Sequence, residues 1–179
     1  MATIFEAIQQ RYSCRKYQQQ EVELEKLKQC IEAVRLAPSA CNGQPWHFYV
    51  VNQGHLKETL VSLTQPFTKN ASFVIISEEK PTFQTKIVNR FKDQDYTQVD
   101  IGIAATHFCL AATELGLGTC MIGWYNEDKI KEALKIPKNK RLRLIISVGY
   151  PKDEKPSKRP RQPLEKMLTV IEERKESTL

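Results

Sequence analysis

Three stretches carry the side chains best suited to chemistry. Arg11-Tyr12-Ser13-Cys14-Arg15 stands near one end of the chain and Lys158-Arg159-Pro160-Arg161-Gln162-Pro163-Leu164-Glu165 near the other. Between them lies Ala37-Pro38-Ser39-Ala40-Cys41-Asn42-Gly43-Gln44-Pro45-Trp46. Arginine meets a phosphate with a planar fork that donates two hydrogen bonds at once. Asn42 and Gln44 each carry a donor and an acceptor, as the N–C=O edge of a planar heterocycle requires. Two cationic clusters and one polar turn could thus together hold a large anionic ligand. Each stretch also has a plainer reading. The arginines could end a helix near its carbonyl pole, and Asn42-Gly43 could be a well-capped turn.

Other chemistries find less support. The three histidines, His47, His55 and His107, have no acidic or cysteine partner at ligand spacing, so a metal site is not indicated. A Cys41–His47 nucleophilic pair lacks a visible third group to orient it. The five cysteines are dispersed without a C-x-x-C pair, which fits free thiols in a reducing compartment. Cys30 and Cys109 fall on apolar helix faces and are expected in the core. The net charge of +6 raises a competing reading, a basic nucleic-acid-binding module. That reading needs a Lys/Arg face with interleaved aromatics, whereas the positive charge here mixes with Glu and Asp and is densest from Lys152 to Arg161. No apolar run approaches the roughly 18 residues of a membrane helix. Met1-Ala2-Thr3-Ile4-Phe5-Glu6 does not read as a signal peptide, and a cytoplasmic location is expected.

The elements that must position these stretches follow from periodicity. The 179 residues suit one domain, or one protomer of a dimer that shares a core. Thr3 and Glu6 have capping-box spacing, and Ile4, Phe5 and Ile8 give the helix after them one apolar face. Leu24, Leu27, Ile31 and Val34 predict a helix from Glu23 to Leu36, which Pro38 stops. Trp46–Val51 and Ser72–Ser77 read as strands, with a helix over Leu56, Leu60 and Leu63 between them. The polar stretch 78–96 is either a cover over a site or a surface helix with a few anchors. Asp100–Leu115 is the most apolar helix, a buried centre or a dimer seam, ended by Gly116 and Gly118. A short strand Thr119–Gly123, a helix capped by Asn126 and a strand Leu142–Tyr150 complete the order. After Pro151 the chain turns to Lys, Pro, Asp and Glu. It cannot build a core of its own there, and should wrap an existing surface or a partner protomer. The order lacks strict βαβ alternation, and no G-x-G-x-x-G follows a strand. An α+β domain is predicted, not a Rossmann or P-loop domain.

Four motifs in this order resemble the FMN-dependent nitroreductase family: Arg11-x-Ser13-x-Arg15, Ala37-Pro38-Ser39-Ala40-x-Asn42-x-Gln44-Pro45-Trp46, Glu114-Leu115-Gly116-Leu117-Gly118 and Arg161-Gln162-Pro163-Leu164-Glu165. The resemblance covers nearly the whole chain. It implies a single α+β domain over 1–179, with a central mostly antiparallel sheet flanked by helices, and an intertwined homodimer in which 151–179 wraps the partner. It also implies two FMN sites at the subunit interface. Arg11 and Ser13 would hold the phosphate with Arg159 and Arg161, or with Lys158 in place of Arg159. Arg15 would lie near the pyrimidine edge, and Tyr12 would contact the flavin through its backbone. Pro38, Ser39, Ala40 and Asn42, with Gln44 in the same turn, would come from the partner protomer and line the ring and ribityl chain. Met121, Ile122 and Gly123 would run beside the ring. The implied activity is ping-pong hydride transfer from NADH or NADPH, through the flavin, to nitroaromatic, quinone or related acceptors, with no catalytic protein side chain. A reductive dehalogenase or a flavin-modifying enzyme of the same fold is the alternative. The chain is short for the family, so the cover over the ring is expected to be reduced to 78–96 or missing.

Overall fold

The computed structural model describes residues 3–80, 82–92, 96–153 and 160–171. In chain order these form α1 (Ile4–Gln10), α2 (Leu24–Arg35), β1 (Trp46–Val51), α3 (His55–Leu63), β2 (Ser72–Glu78), α4 (Phe83–Lys92), α5 (Tyr96–Glu114), β3 (Gly118–Ile122), α6 (Glu127–Leu134) and β4 (Arg141–Gly149). Short 3-10 turns occupy Ala40–Asn42, Pro66–Thr68 and Leu164–Lys166. The strands make one antiparallel sheet in the order β1-β2-β4-β3, an α+β architecture.

Side chains alternate across this sheet, and both of its faces are covered. Val74, Ile76, Ile146 and Val148 face α2 and α5, where they meet Leu27, Val34, Ala104 and Phe108. Phe73, Ile75 and Ile145 face the other way, toward Leu60 of α3 and Ile130 of α6. Burial on both sides explains why β2 reads as an unbroken apolar run. Ile76 pairs with Leu144 but Ser77 pairs with Leu142, so Arg143 is the extra residue of a β-bulge. The bulge returns Leu142 to the face that Ile145 shares. Its extra residue, Arg143, pairs with Glu78 at 2.6 Å.

Local signals act as physical chemistry requires. Thr3 and Glu6 close a capping box on α1, and the Asn126 side chain accepts the Lys129 N–H at the start of α6. Two expectations change. The long helix begins at Tyr96, four residues before Asp100, because Thr97 and Asp100 both turn inward. The apolar face of α1 does not enter the chain's own core: Ala7 is buried, whereas Ile4 and Phe5 are 69% and 72% exposed. Within 78–96, residues 83–92 form a helix in which, among the described residues, Thr85 is buried while Phe83 faces solvent. Cys30 and Cys109 lie in the core. Among the described residues no helix is long and apolar enough to cross a membrane.

Candidate functional site

The basic segment after α1 is fastened along the outer edge of β3. Ser13 forms a parallel bridge with Thr119, and the Cys14 N–H donates to the Thr119 carbonyl at 2.9 Å. Farther on, the Gln18 N–H donates to Tyr150 O and the Lys152 N–H to Lys16 O, each at 2.9 Å. This lacing needs two glycines. A Cβ on Gly118 would stand 2.7 Å from Cys14 Cβ, and one on Gly149 would stand 2.8 Å from Tyr17 Cδ1. Tyr17 is the buried peg between them: its hydroxyl lies 2.8 Å from Ser147 Oγ and donates to Cys14 O at 2.9 Å. Burial pushes the Tyr17 hydroxyl and the Cys14 thiol up from their ordinary ranges.

Arg11 and Ser13 are therefore half-buried beside β3, while Arg15 is exposed with its guanidinium 5.6 Å from the centre of the Phe67 ring. Burial first of all pushes the Cys109 thiol of α5 up, and the Arg11 charge offsets this only in part. The Tyr12 hydroxyl donates to Asp153 O at 3.3 Å, and burial first of all pushes it up to about 12. Tyr12 also lines a cavity of about 340 Å³ with Gln10, Thr113, Gly118, Pro151 and Asp153. Two residues beyond Thr119, Met121 is 43% exposed, Ile122 is buried, and a Cβ on Gly123 would meet nothing within 4 Å. Met121–Gly123 is thus a partly open strip that begins two residues beyond the bridge to Ser13.

The polar turn is built elsewhere on the same long helix. Pro38 ends α2, and the chain then enters a turn in which Cys41, Asn42 and Gln44 all hold left-handed backbone, at φ 52°, 51° and 45°. Such conformations cost non-glycine residues roughly 1–2 kcal/mol each and need support. The Gln44 N–H donates to Ser39 Oγ at 3.0 Å, and the Gln44 side-chain amide donates to Asn42 Oδ1 at 3.2 Å. The Ala40 N–H donates to Asp100 Oδ1 of α5 at 3.0 Å. Thr85 of α4 approaches the Ala40 carbonyl at 3.5 Å. Asn42, Gln44 and Pro38 remain exposed. Asp100 and Cys109 are nine residues, roughly 13 Å, apart along α5, so the tie to Ala40 sits near the start of that helix. Within one chain, then, Ser13 lies against Thr119, two residues before the 121–123 strip, whereas the turn is held at Asp100 near the start of α5.

The nitroreductase family model matches residues 8–63 and 60–150. The chain belongs to the nitroreductase family. A relative in Archaeoglobus fulgidus, provisionally named NADH dehydrogenase/NAD(P)H nitroreductase, is 33% identical over 87% of this chain and 89% of its own. FMN reductase [NAD(P)H] of Bacillus subtilis is 31% identical over 92% of this chain and 72% of its own. The crystal structure of a nitroreductase family protein from Clostridium novyi NT superposes with a TM-score of 0.75, at 31% identity, over 85% of this chain and 87% of that one. The fold described above is the nitroreductase fold.

Among the predicted nitroreductase site residues, Arg161 lies in the exposed stretch 160–171, where its guanidinium donates to Pro160 O at 3.2 Å. Arg159 and Lys158 lie outside the described residues. The same stretch exposes Leu164, Met167, Leu168, Val170 and Ile171, an apolar row largely uncovered by the described residues. Motif reading passed over Tyr17, Gly149 and Asp100. Tyr17 and Gly149 give no local signal, since their contact spans 132 positions. Asp100 did give one, a carboxylate in the first turns of the most apolar helix.

Proposed function

We propose that this chain is an FMN-dependent oxidoreductase that takes reducing equivalents from NADH or NADPH and passes them to nitroaromatic, quinone or related acceptors. The observation that carries the reading is the fastening of Ser13 and Cys14, directly after Arg11 and Tyr12, to Thr119 of β3, two residues before the strip Met121–Gly123. Cations and a hydroxyl at one end, and uncovered backbone at the other, fit a ligand with an anionic tail and a flat polar ring. The bound flavin supplies the hydride chemistry. Arg11 and Ser13 hold the phosphate with Arg161 and with Arg159 or Lys158. Arg15 faces the pyrimidine edge, where a cation favours the reduced anionic ring. Tyr12 and Met121–Gly123 give backbone contact.

Pro38, Ser39, Ala40, Asn42 and Gln44 act on the site of a partner protomer. The unburied stripe of α5, Val99, Gly102, Ile103, Thr106 and Leu110, is small and apolar enough to be a helix seam. Two copies of α5 crossing antiparallel about a two-fold axis would bring one protomer's turn toward the other's basic segment. The apolar row of the tail and the exposed face of α1 also call for cover, and 151–179 wrapping the partner would supply it. Five free cysteines fit a reducing, cytoplasmic setting.

Anaerobic stopped-flow mixing of the FMN-loaded protein with NADH and NADPH tests the activity. Bleaching of the flavin band by at least one donor, and its return on adding a quinone or nitroaromatic, is expected. A flavin that neither donor reduces would overturn the proposal and favour the dehalogenase or flavin-modifying alternative.

A further inference from the structure

We propose that Asp100 is a positioning residue for the flavin-binding turn, setting the place of Ser39 and Ala40 from within α5. The functional half of this proposal rests on the FMN reading above. Asp100 is 2% exposed in a helix whose other inward residues are almost all apolar. Its Oδ1 accepts the Ala40 N–H at 3.0 Å, whereas its Oδ2 is buried without a hydrogen-bond partner among the described residues. Among the described residues it has no ion-pair partner. A carboxylate removed from water and only half satisfied is a costly way to fill a core position. A leucine would fill the space without that cost. What leucine cannot do is accept the Ala40 N–H.

That hydrogen bond sits where the turn most needs it. Three of the four residues after Ala40 hold left-handed backbone without being glycine, and such a path persists only when its surroundings dictate it. The turn's other ties are weaker. Ser39 Oγ to the Gln44 N–H is internal to the turn, and the Thr85 contact to Ala40 O is 3.5 Å long. The Asp100 bond is part-buried and charge-assisted, and it reaches outside the turn to α5, the helix that α1 also packs against. Gly43 leaves the turn little room to shift, since a Cβ there would stand 3.0 Å from Ala40 O. Asp100 therefore determines how the Ser39–Asn42 backbone is offered to a ligand.

The test compares wild type, Asp100→Asn and Asp100→Leu. Asn keeps an acceptor for Ala40, and Leu removes it while relieving the buried charge. Amide exchange at Ala40 is read by NMR on the apoprotein, alongside FMN affinity and thermal unfolding. In Asp100→Leu we expect Ala40 exchange to quicken and FMN affinity to fall, each by about tenfold or more, the scale of one lost charge-assisted hydrogen bond, without a fall in Tm. Asp100→Asn should stay within about threefold of wild type in both. A folded Asp100→Leu protein with wild-type Ala40 protection and FMN affinity would overturn the proposal. Should Leu not fold, an Asp100→Asn protein that loses FMN affinity while keeping Ala40 protection would overturn it too. A wild type that binds no flavin would sink the cofactor reading instead, and Ala40 exchange would still decide whether Asp100 sets the turn.

Discussion

Gly118→Ala should release the basic segment from β3. The added Cβ would lie 2.7 Å from Cys14 Cβ, 2.8 Å from Cys14 Sγ and 3.0 Å from Pro151 Cγ. Rotating the thiol cannot relieve the closest contact, because Cys14 Cβ moves only with its backbone. That backbone is the part bonded to Thr119 O, so relief means drawing residues 13–15 away from the strand. Overpacking of this kind costs about 1–3 kcal/mol. In a chain of this size each kcal/mol lowers Tm by roughly 2–4 °C, so a fall of about 2–12 °C is expected. The same retreat displaces Arg11 and Ser13 from the strip at Met121–Gly123, so the rise in Tm on adding FMN should shrink as affinity falls. Thermal unfolding of wild type and variant, with and without saturating FMN, measures both effects. A variant with unchanged Tm and an unchanged FMN-induced rise would show that the close approach does not position the segment.

Three further outcomes are expected. Arg161→Ala should weaken FMN binding by about 1.5–3 kcal/mol, the scale of a lost hydrogen bond to a charged group; an unchanged titration curve would remove Arg161 from the phosphate site. Glu127 is pushed up by burial, but the Leu142 N–H and Lys131 more than offset this and hold it below the usual carboxylate range. With its folded value below its unfolded one, it stabilises the fold above the ordinary carboxylate range, and that contribution is lost as pH falls through the folded value. Glu127→Gln should flatten the acid limb of the Tm–pH curve, and an identical limb in the variant would refute this. Cys41 is exposed whereas Cys14, Cys30, Cys109 and Cys120 are buried, so mild alkylation of the native protein should label Cys41 alone. Bound FMN should slow that labelling if the turn lines its site, and mass spectrometry of the labelled peptides would detect either departure.

What could be read from the residues divides by the range of the interactions. Helix α2, the strands and the caps at Thr3 and Asn126 depend on neighbours within a turn, and their patterns were plain. The bulge at Arg143 depends on pairing with β2, and no local feature of Arg141-Leu142-Arg143-Leu144 announces it. The start of α5 is hidden in the sequence because Tyr96-Thr97-Gln98 looks polar, yet Thr97 is buried. The apolar face of α1 is plain in the pattern, but a pattern does not say which surface it meets, and Ile4 and Phe5 find none among the described residues. Among the site residues, chemistry singled out Arg11, Ser13, Asn42 and Gln44. Their supports, Tyr17 with Gly149 and Asp100 with Ala40, join residues far apart in the chain and came to light only in the fold.

The central claim is that this chain's basic segment and turn hold FMN. Titrating FMN into the apoprotein, with flavin fluorescence and the visible spectrum as readouts, tests it most directly. Saturable binding of one FMN per chain, with altered fluorescence and a shifted flavin band, is the predicted result. A colourless protein that leaves the fluorescence and spectrum of added FMN unchanged would contradict it.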